Sequence, residues 1–392
     1  MSVALQVLLL LVLSVSSPSQ AGWSTITNTT ELISRAGYQS EKHTVESQDG
    51  FHVSVFRIPG PGAPVFLMHG LFVASDSWVL RGKGRDLVFM LADRGYDVWL
   101  GDARGNFYSR SHNTFTPDDS VFWDFSVHEM GVYDLPAVID YVLNATGHNS
   151  LVYLGHSLGT TMMYVMSARR PEYVYKVRLM VGLAPAAFFG RYRAAVQRFF
   201  LESSSSYSAY FGRVGVHEVM PRTPLTAVMA RLFCSSNSPT QRLCLQFFYF
   251  TAGLGSLSDF SHVNKTLLPE FVSHVPTGAS PKTLSHLGQL SKSGRFCNYD
   301  YGSEENLARY GSSSPPDYDL SKTSMPVINF YGEGDTLVDS RDATELSAKL
   351  PNLIANIAVD NPLFNHMDFI WAEDATDLVY QRILEVIAKY PG

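Results

Sequence analysis

The sequence is poor in cysteine and in positive charge, and it lacks an apolar stretch long enough to cross a membrane. Three cysteines in 392 residues are too few for a scaffold built on disulfides. Lys and Arg number 30 against 36 Asp and Glu, so the net charge of −6 provides no field that would attract nucleic acid, and none is expected as a partner. Because no apolar run reaches about 20 residues, no transmembrane segment is expected.

The N-terminus carries an apolar run, Val3–Val15, interrupted only by Gln6 and Ser14. Ser19 and Ala21 then place small residues at the −3 and −1 positions of a cleavage site. This pattern predicts a signal peptide over residues 1–21, and therefore a protein that is secreted or delivered to lysosomes; a buried helix is the alternative. Entry into that pathway gives meaning to three Asn-x-Ser/Thr sequons, predicted as glycosylation sites at Asn28, Asn144 and Asn264.

The cysteines fit the same compartment. In an oxidising lumen, Cys234 and Cys244, ten positions apart, could form a bridge and leave Cys297 free. Three unpaired thiols are the alternative, because spacing alone does not determine pairing.

Short apolar runs alternate with helical patterns in two separate parts of the chain, which predicts an α/β fold with a mostly parallel central sheet flanked by helices. Between these parts the alternation stops, so we expect an inserted, mainly helical cap. The predicted boundaries are residues 22–186 and 325–392 for the two core parts and 187–324 for the cap. The predicted strands are Val65–Met68, Asp97–Leu100, Leu151–Leu154, Val177–Leu183, Val327–Tyr331 and Ile354–Val359. The predicted helices are Asp134–Asn144, Leu158–Ala168, Tyr192–Leu201, Ser340–Leu350 and Leu378–Lys389.

A G-x-S-x-G motif lies between one of these strands and the following helix. Its residues are Gly155-His156-Ser157-Leu158-Gly159. In α/β-hydrolases this motif forms a tight strand-to-helix turn that lifts the serine hydroxyl above the sheet, beside a helix N-terminus that favours negative charge. Ser157 is therefore the predicted nucleophile.

A serine nucleophile needs a histidine base and an acid that orients the histidine. In α/β-hydrolases these residues follow in the order Ser, Asp or Glu, His. His366 is the one histidine after the insertion and is the predicted base; a structural histidine is the alternative. Asp335, at the end of the strand Val327–Tyr331, is the predicted acid. Its competitors are Glu333, Asp339 and Asp360, and the alternative for all of them is an ordinary loop or cap residue.

The same mechanism requires two backbone N–H groups for the oxyanion of the tetrahedral intermediate. One comes from the residue after the nucleophile, here Leu158, and the other from a loop after an early strand. His69-Gly70-Leu71 follows the strand Val65–Met68, so Leu71 is the predicted second donor. A simple turn after a strand is the alternative for this segment. The chemistry requires neither a metal nor an organic cofactor, and none is expected.

Several longer stretches resemble the acid lipase family, the gastric and lysosomal acid lipases of the α/β-hydrolase superfamily. They are His69–Leu80, Gly101–Ser109 (GDARGNFYS), Phe122–Asp134 (FWDFSVHEMGVYD), Gly155–Thr161 (GHSLGTT) and Asn365–Ala372 (NHMDFIWA). The resemblance implies the same triad and oxyanion donors as above, and a Cys234–Cys244 bridge in the cap. The chain departs from the family pattern at Leu158, commonly Gln, at Val127, usually Trp, and at Asp102, usually Asn.

We therefore expect a lipase that hydrolyses carboxylic esters of neutral lipids, chiefly triacylglycerol, through an acyl-enzyme at a droplet or micelle surface. Steryl-ester hydrolysis is the alternative reaction, because the sequence does not determine pocket width. A lipid-binding or storage protein without catalysis is the alternative from another class. The complete Ser157, Asp335 and His366 set argues against that alternative. The sequence does not indicate an oligomeric state.

Overall fold

The structure of the protein, a computed structural model, describes residues 27–191, 198, 201–204, 206, 215–236, 238–256 and 259–391. The predicted signal peptide, residues 1–21, and most of the predicted helix Tyr192–Leu201 lie outside the described residues.

A single sheet of nine strands forms the centre of the described structure. Its order is β1-β2-β4-β3-β6-β7-β8-β9, with the short β5 beside β2. The pairs from β4 through β3, β6, β7 and β8 to β9 are all parallel, whereas the pairs that involve β2 are antiparallel. The strands are β1 (Glu41–Glu46), β2 (Phe51–Ile58), β3 (Pro64–Met68), β4 (Asp97–Gly101), β5 (Ser111–His112), β6 (Leu151–His156), β7 (Val177–Leu183), β8 (Val327–Tyr331) and β9 (Leu353–Ala358).

Helices lie in all the long connections of this sheet. They are α1 (Thr29–Arg35), α2 (Leu87–Asp93), α3 (Leu135–Thr146), α4 (Leu158–Arg169), α5 (Pro224–Cys234), α6 (Gln241–Ala252), α7 (Leu268–Ser273), α8 (Pro281–Ser293), α9 (Ser303–Tyr310), α10 (Ser340–Ala348), α11 (Asp368–Trp371) and α12 (Gln381–Ile387). Two π-helical turns, Met130–Asp134 and Thr376–Tyr380, lead directly into α3 and α12. The predicted α/β class with a mostly parallel sheet is confirmed.

The sheet is buried on both faces, which explains its sequence. Along β3, Val65 and Leu67 face one hydrophobic cluster, whereas Phe66 and Met68 face the other. Helices α2 and α12 cover the first face, and α3 and α4 cover the second. A strand covered on both sides reads as a continuous apolar run instead of an alternating one. The central strands were predictable for this reason.

The described residues between β7 and β8 form α5 to α9, and we refer to residues 187–324 as the inserted segment. A disulfide joins Cys234 at the end of α5 to Cys244 in α6, and Cys297 is a buried free thiol. An ion pair of 2.7 Å between Arg222 and Asp76 connects the inserted segment to the core, and Asp76 also lies 2.9 Å from His274. Both contacts are buried, so the segment is fastened to the core by polar as well as apolar packing.

The three sequons occupy different environments. Asn144 is exposed near the end of α3. Asn28 caps α1, where its side-chain oxygen accepts a hydrogen bond from Glu31 N. The side-chain nitrogen of Asn264 donates to Glu373 at 2.7 Å. Glycosylation remains a prediction at all three. At Asn264 a glycan would have to displace the hydrogen bond between the side-chain nitrogen and Glu373.

Among the helices of the described residues, none is both long enough and apolar enough to cross a bilayer.

Candidate active site

The predicted nucleophile occupies a strained turn between β6 and α4. Ser157 has φ 51° and ψ −116°, a backbone conformation that residues other than glycine rarely adopt. Helix α4 begins at the next residue. The motif glycine Gly159 is required by packing, because a Cβ atom there would lie 2.5 Å from the carbonyl oxygen of Met68. The G-x-S-x-G sequence thus lets the turn pack against the end of β3.

The predicted base and acid are in direct contact. His366 Nδ1 lies 2.8 Å from Asp335 Oδ2, and the two residues are only 4% and 1% exposed. The other oxygen of Asp335 accepts hydrogen bonds from the backbone N–H groups of Leu337 and Val338, both at 2.8 Å. Because the carboxylate only accepts, Nδ1 of His366 carries the proton and Nε2 is left as the acceptor. This is the tautomer that a general base requires.

The competing acids are used elsewhere or point to solvent. Asp339 caps α10 by accepting from the N–H of Arg341, and its carboxylate also pairs with the Arg341 side chain at 2.8 Å. Glu333 and Asp360 are exposed. Of the four acids considered from the sequence, Asp335 is therefore the one placed against His366.

His156 connects the nucleophile turn to the base, a role that the sequence reasoning missed. Its Nε2 donates to the backbone carbonyl of His366 at 3.0 Å, and the two rings lie 4.9 Å apart. Burial lowers the pKa of His156 well below its usual value. The ring is therefore neutral, with its proton on Nε2. His156 precedes Ser157 in the chain, so this contact brings the nucleophile turn and the base loop together.

The loop that carries the predicted oxyanion donor Leu71 lies against the same turn. A Cβ atom on Gly70 would lie 3.1 Å from Ser157 Cβ, so a side chain there would fit only if the Ser157 turn shifted. The His69 ring holds the loop in shape: Nδ1 donates to Gly70 O at 2.7 Å, and Nε2 accepts from Ala103 N at 3.1 Å. Burial lowers the pKa of His69 to about 4, so the ring stays neutral in these bonds.

The second predicted donor, Leu158, is the first residue of α4, where backbone N–H groups have no partner within the helix. The structure therefore brings all five predicted residues to one edge of the sheet: Ser157, Asp335, His366, Leu71 and Leu158. Three of them, Ser157, Leu158 and Leu71, follow the ends of β6 and β3, and Asp335 follows β8. This is the carboxyl edge of the parallel strands, where ligands bind in open α/β sheets.

Asp102 is a buried acid close to His69, in the loop that carries Leu71. Its Oδ1 accepts from Ser75 N at 2.9 Å and from Asn106 Nδ2 at 2.7 Å, and it lies 3.7 Å from His69 Nε2. Within the described ranges, Oδ2 has no hydrogen-bond partner. Burial raises the pKa of Asp102 to about 7, so the carboxyl group is neutral in acid and ionises only near neutrality.

We expect Asp102→Asn to stabilise the protein relative to wild type by a larger amount at pH 8 than at pH 5. The unfolded chain holds this proton with a pKa near 3.9, so the folded-state preference for the neutral acid stabilises fully below about pH 4 and is lost as the pH rises to about 7. At about 1.4 kcal/mol per pH unit, over the two units between pH 5 and the folded pKa of about 7, the difference between wild type and variant should grow by about 3 kcal/mol between pH 5 and pH 8.

Urea unfolding at both pH values measures this difference. Asp118→Asn, at an exposed position, controls for the loss of one negative charge. A difference between wild type and Asp102→Asn that is the same at pH 5 and pH 8 would contradict the expectation.

In the part of the chain that the structure describes, no group of three or more His, Cys, Asp or Glu side chains is arranged to hold a metal ion.

Comparison with known proteins places the chain in a family. Residues 29–82 match the model described as a partial α/β-hydrolase lipase region, and residues 63–211 match the α/β hydrolase fold. Among solved structures, a thermophilic esterase from Thermogutta terrifontis aligns with a TM-score of 0.53 at 15% identity, over 90% of this chain and 100% of that one. An epoxide hydrolase from Vigna radiata aligns with a TM-score of 0.51 at 17% identity, over 90% and 98%. These likenesses show the α/β-hydrolase fold alone, because the two enzymes catalyse different reactions.

The curated relatives are more specific. The chain is 39% identical to Lipase 1 of Drosophila melanogaster over 92% of its own length and 80% of that protein. It is 37% identical to Lipase 3 of the same species, over 94% and 95%, and 34% identical to the human gastric triacylglycerol lipase, over 92% and 91%. The chain belongs to the acid lipase family of α/β-hydrolases. It is accordingly a carboxylic ester hydrolase.

Proposed function

We propose that this protein hydrolyses triacylglycerol through an acyl-enzyme formed on Ser157. The contact of 2.8 Å between His366 and Asp335, next to the Ser157 turn, is the observation that carries the proposal. His366 Nε2 takes the Ser157 proton as the hydroxyl attacks the ester carbonyl, and then returns it to the departing alcohol. A water molecule, deprotonated by the same nitrogen, then attacks the acyl-enzyme and releases the fatty acid. Asp335 holds the ring and stabilises its charged form.

The backbone N–H groups of Leu71 and Leu158 would receive the negative charge of the tetrahedral intermediate. Both belong to segments fixed by packing: Gly70 abuts Ser157, and α4 starts at Leu158. Donors held in advance at this position lower the barrier without reorganising during the reaction. The side chain at position 158 does not take part in this role, so leucine can replace the glutamine common in the family.

The inserted segment is proposed to act as a cap that contacts the lipid surface. Helix α5 exposes an apolar face: Leu225, Met229 and Leu232 are 62%, 54% and 64% exposed and recur at helical spacing. The disulfide Cys234–Cys244 ties this helix to α6. Large exposed apolar patches on a soluble protein mark interaction surfaces. A neutral-lipid droplet or micelle is the partner that suits this face.

We expect Leu232→Asp to weaken adsorption to emulsified triolein by about 10- to 100-fold, because burying a leucine side chain contributes about 1.5–3 kcal/mol. Turnover of a dissolved short-chain ester should be unchanged. Leu307→Asp is the matched control, since Leu307 is 59% exposed on a different helix, α9. Equal adsorption of wild type and Leu232→Asp, measured by centrifugation of the emulsion, would contradict a lipid contact through α5.

The substrate proposal is tested by comparing turnover of emulsified triolein with turnover of cholesteryl oleate. Dominant hydrolysis of triolein is expected, and dominant hydrolysis of the steryl ester would replace the triacylglycerol proposal. Labelling of Ser157 by a serine-directed phosphonate separates either enzyme from a non-catalytic lipid-binding protein, which would not react.

The proposed location is the secretory pathway, with secretion or lysosomal delivery as the end point. Cell fractionation of the native protein distinguishes these two destinations.

A further inference from the structure

The loop that carries His366 is held by the inserted segment as well as by the core. The N–H of Met367 donates to the carbonyl of Gly253 at 2.7 Å, and the side-chain nitrogen of Asn365 donates to the carbonyl of Gly255 at 2.8 Å. Gly253 and Gly255 directly follow α6. Both neighbours of the base are therefore bonded to the same three-residue stretch of the inserted segment.

The carboxylate of Asp368 joins these two parts of the chain. One oxygen accepts from the N–H of Gly255 at 2.9 Å, and the other accepts from the N–H of Asn365 at 2.7 Å. His262, also in the inserted segment, places Nε2 at 3.3 Å from the second oxygen, and this carboxylate raises the pKa of His262. Asp368 is fully buried. The catalytic steps described above make no use of it.

Asn365, which is bonded to both Gly255 and Asp368, also bonds to the base. Its side-chain oxygen accepts from the N–H of His366 at 2.7 Å and from the N–H of Thr336, next to the acid, at 3.0 Å. The inserted segment also packs tightly against the base, because a Cβ atom on Gly253 would lie 2.7 Å from His366 Cβ. A shift of Gly253–Gly255 would therefore move the base relative to Ser157 and Asp335.

We infer that Asp368 is a positioning residue for the catalytic base, and that through it the geometry of His366 depends on the docked stretch Gly253–Gly255 of the inserted segment. The inference rests on the proposed role of His366. As a consequence, His366 is correctly placed only while Gly253–Gly255 keeps its hydrogen bonds to the loop that carries this base. A misplacement of about 1 Å is enough to cost about 100-fold in rate.

Asp368→Asn tests the inference. Asparagine keeps the size of the side chain, but its NH₂ must face either the N–H of Gly255 or that of Asn365, so one hydrogen bond becomes a contact between two donors. We expect kcat for dissolved p-nitrophenyl butyrate to fall by about 10- to 100-fold, with KM unchanged and the rate expressed per folded enzyme. Asp374→Asn is the matched control: this acid lies near His262, but its side chain bonds to Asn361 instead of to Asn365, His366 or Met367, and its kcat should equal that of wild type.

A double-mutant cycle with His366→Ala separates positioning from general damage. If Asp368 acts through the base, Asp368→Asn should not lower the residual rate of His366→Ala any further. The same loss in both backgrounds, a wild-type kcat for Asp368→Asn, or an equal loss in Asp374→Asn would each overturn the inference. A wild-type kcat for His366→Ala would instead overturn the proposed function, and the inference with it.

Asn365→Asp supplies a second variant if Asp368→Asn does not fold. It keeps the oxygen that accepts from His366 and Thr336, and it replaces only the donor to Gly255 O with an acceptor. We expect about a 10-fold fall in kcat that is likewise absent in the His366→Ala background. A folded Asn365→Asp variant with wild-type kcat would overturn the inference.

Discussion

Ser157→Ala is expected to lower kcat/KM for any ester substrate by at least about 10⁴-fold while leaving the protein folded. Loss of the hydroxyl removes covalent catalysis, and only the oxyanion donors and substrate binding remain to accelerate hydrolysis. Thermal unfolding should be nearly unchanged, because the Ser157 side chain is only partly buried. Initial rates on p-nitrophenyl butyrate, together with the melting temperature, measure both effects. Retention of more than a hundredth of wild-type activity would mean that another residue is the nucleophile.

Asp335→Asn is expected to lower kcat by about 10⁴-fold, with the fold intact. Asparagine can turn its NH₂ toward His366 Nδ1, which stabilises the tautomer that carries its proton on Nε2 and cannot act as a base. The buried position of Asp335 makes this effect strong, because no solvent competes for the ring nitrogen.

Asp339→Asn is the matched control for this substitution. Asparagine is as good a helix cap as aspartate, so α10 should persist and activity should stay within about twofold of wild type. If Asp339→Asn were inactive and Asp335→Asn active, the assignment of the acid would have to be exchanged.

The parallel half of the sheet was predictable from the sequence because its strands are buried on both faces. The runs at β3, β6, β7 and β8 are mostly apolar and lie within a residue or two of the predicted bounds. Strands β1, β2 and β5 were not predicted. Strand β1 lies at the edge of the sheet and is polar at most positions. Its sequence therefore resembles that of a polar loop.

The catalytic residues of the site were predictable, but the buried residues that hold them in place were not. Ser157, Asp335 and His366 follow a fixed chain order that local motifs reveal. His156, Asp102 and Asp368 are buried polar residues whose roles depend on contacts with distant parts of the chain. The partner of Asp368, Gly255, lies 113 positions away, and no local pattern indicates that pairing. Buried carboxyl and imidazole groups are recognisable as such only when burial is known.

The place of β8 in the sheet has a consequence for synthesis on the ribosome. Strand β7 ends at Leu183, and its parallel partner β8 begins at Val327, so about 140 residues are made before that edge can pair. At about 5–20 residues per second, β7 remains an open edge for roughly 7–30 seconds. Unpaired apolar strands of this kind invite aggregation. The apolar face of α5 emerges in the same interval, so the nascent chain should depend on chaperones most strongly while the inserted segment is being translated.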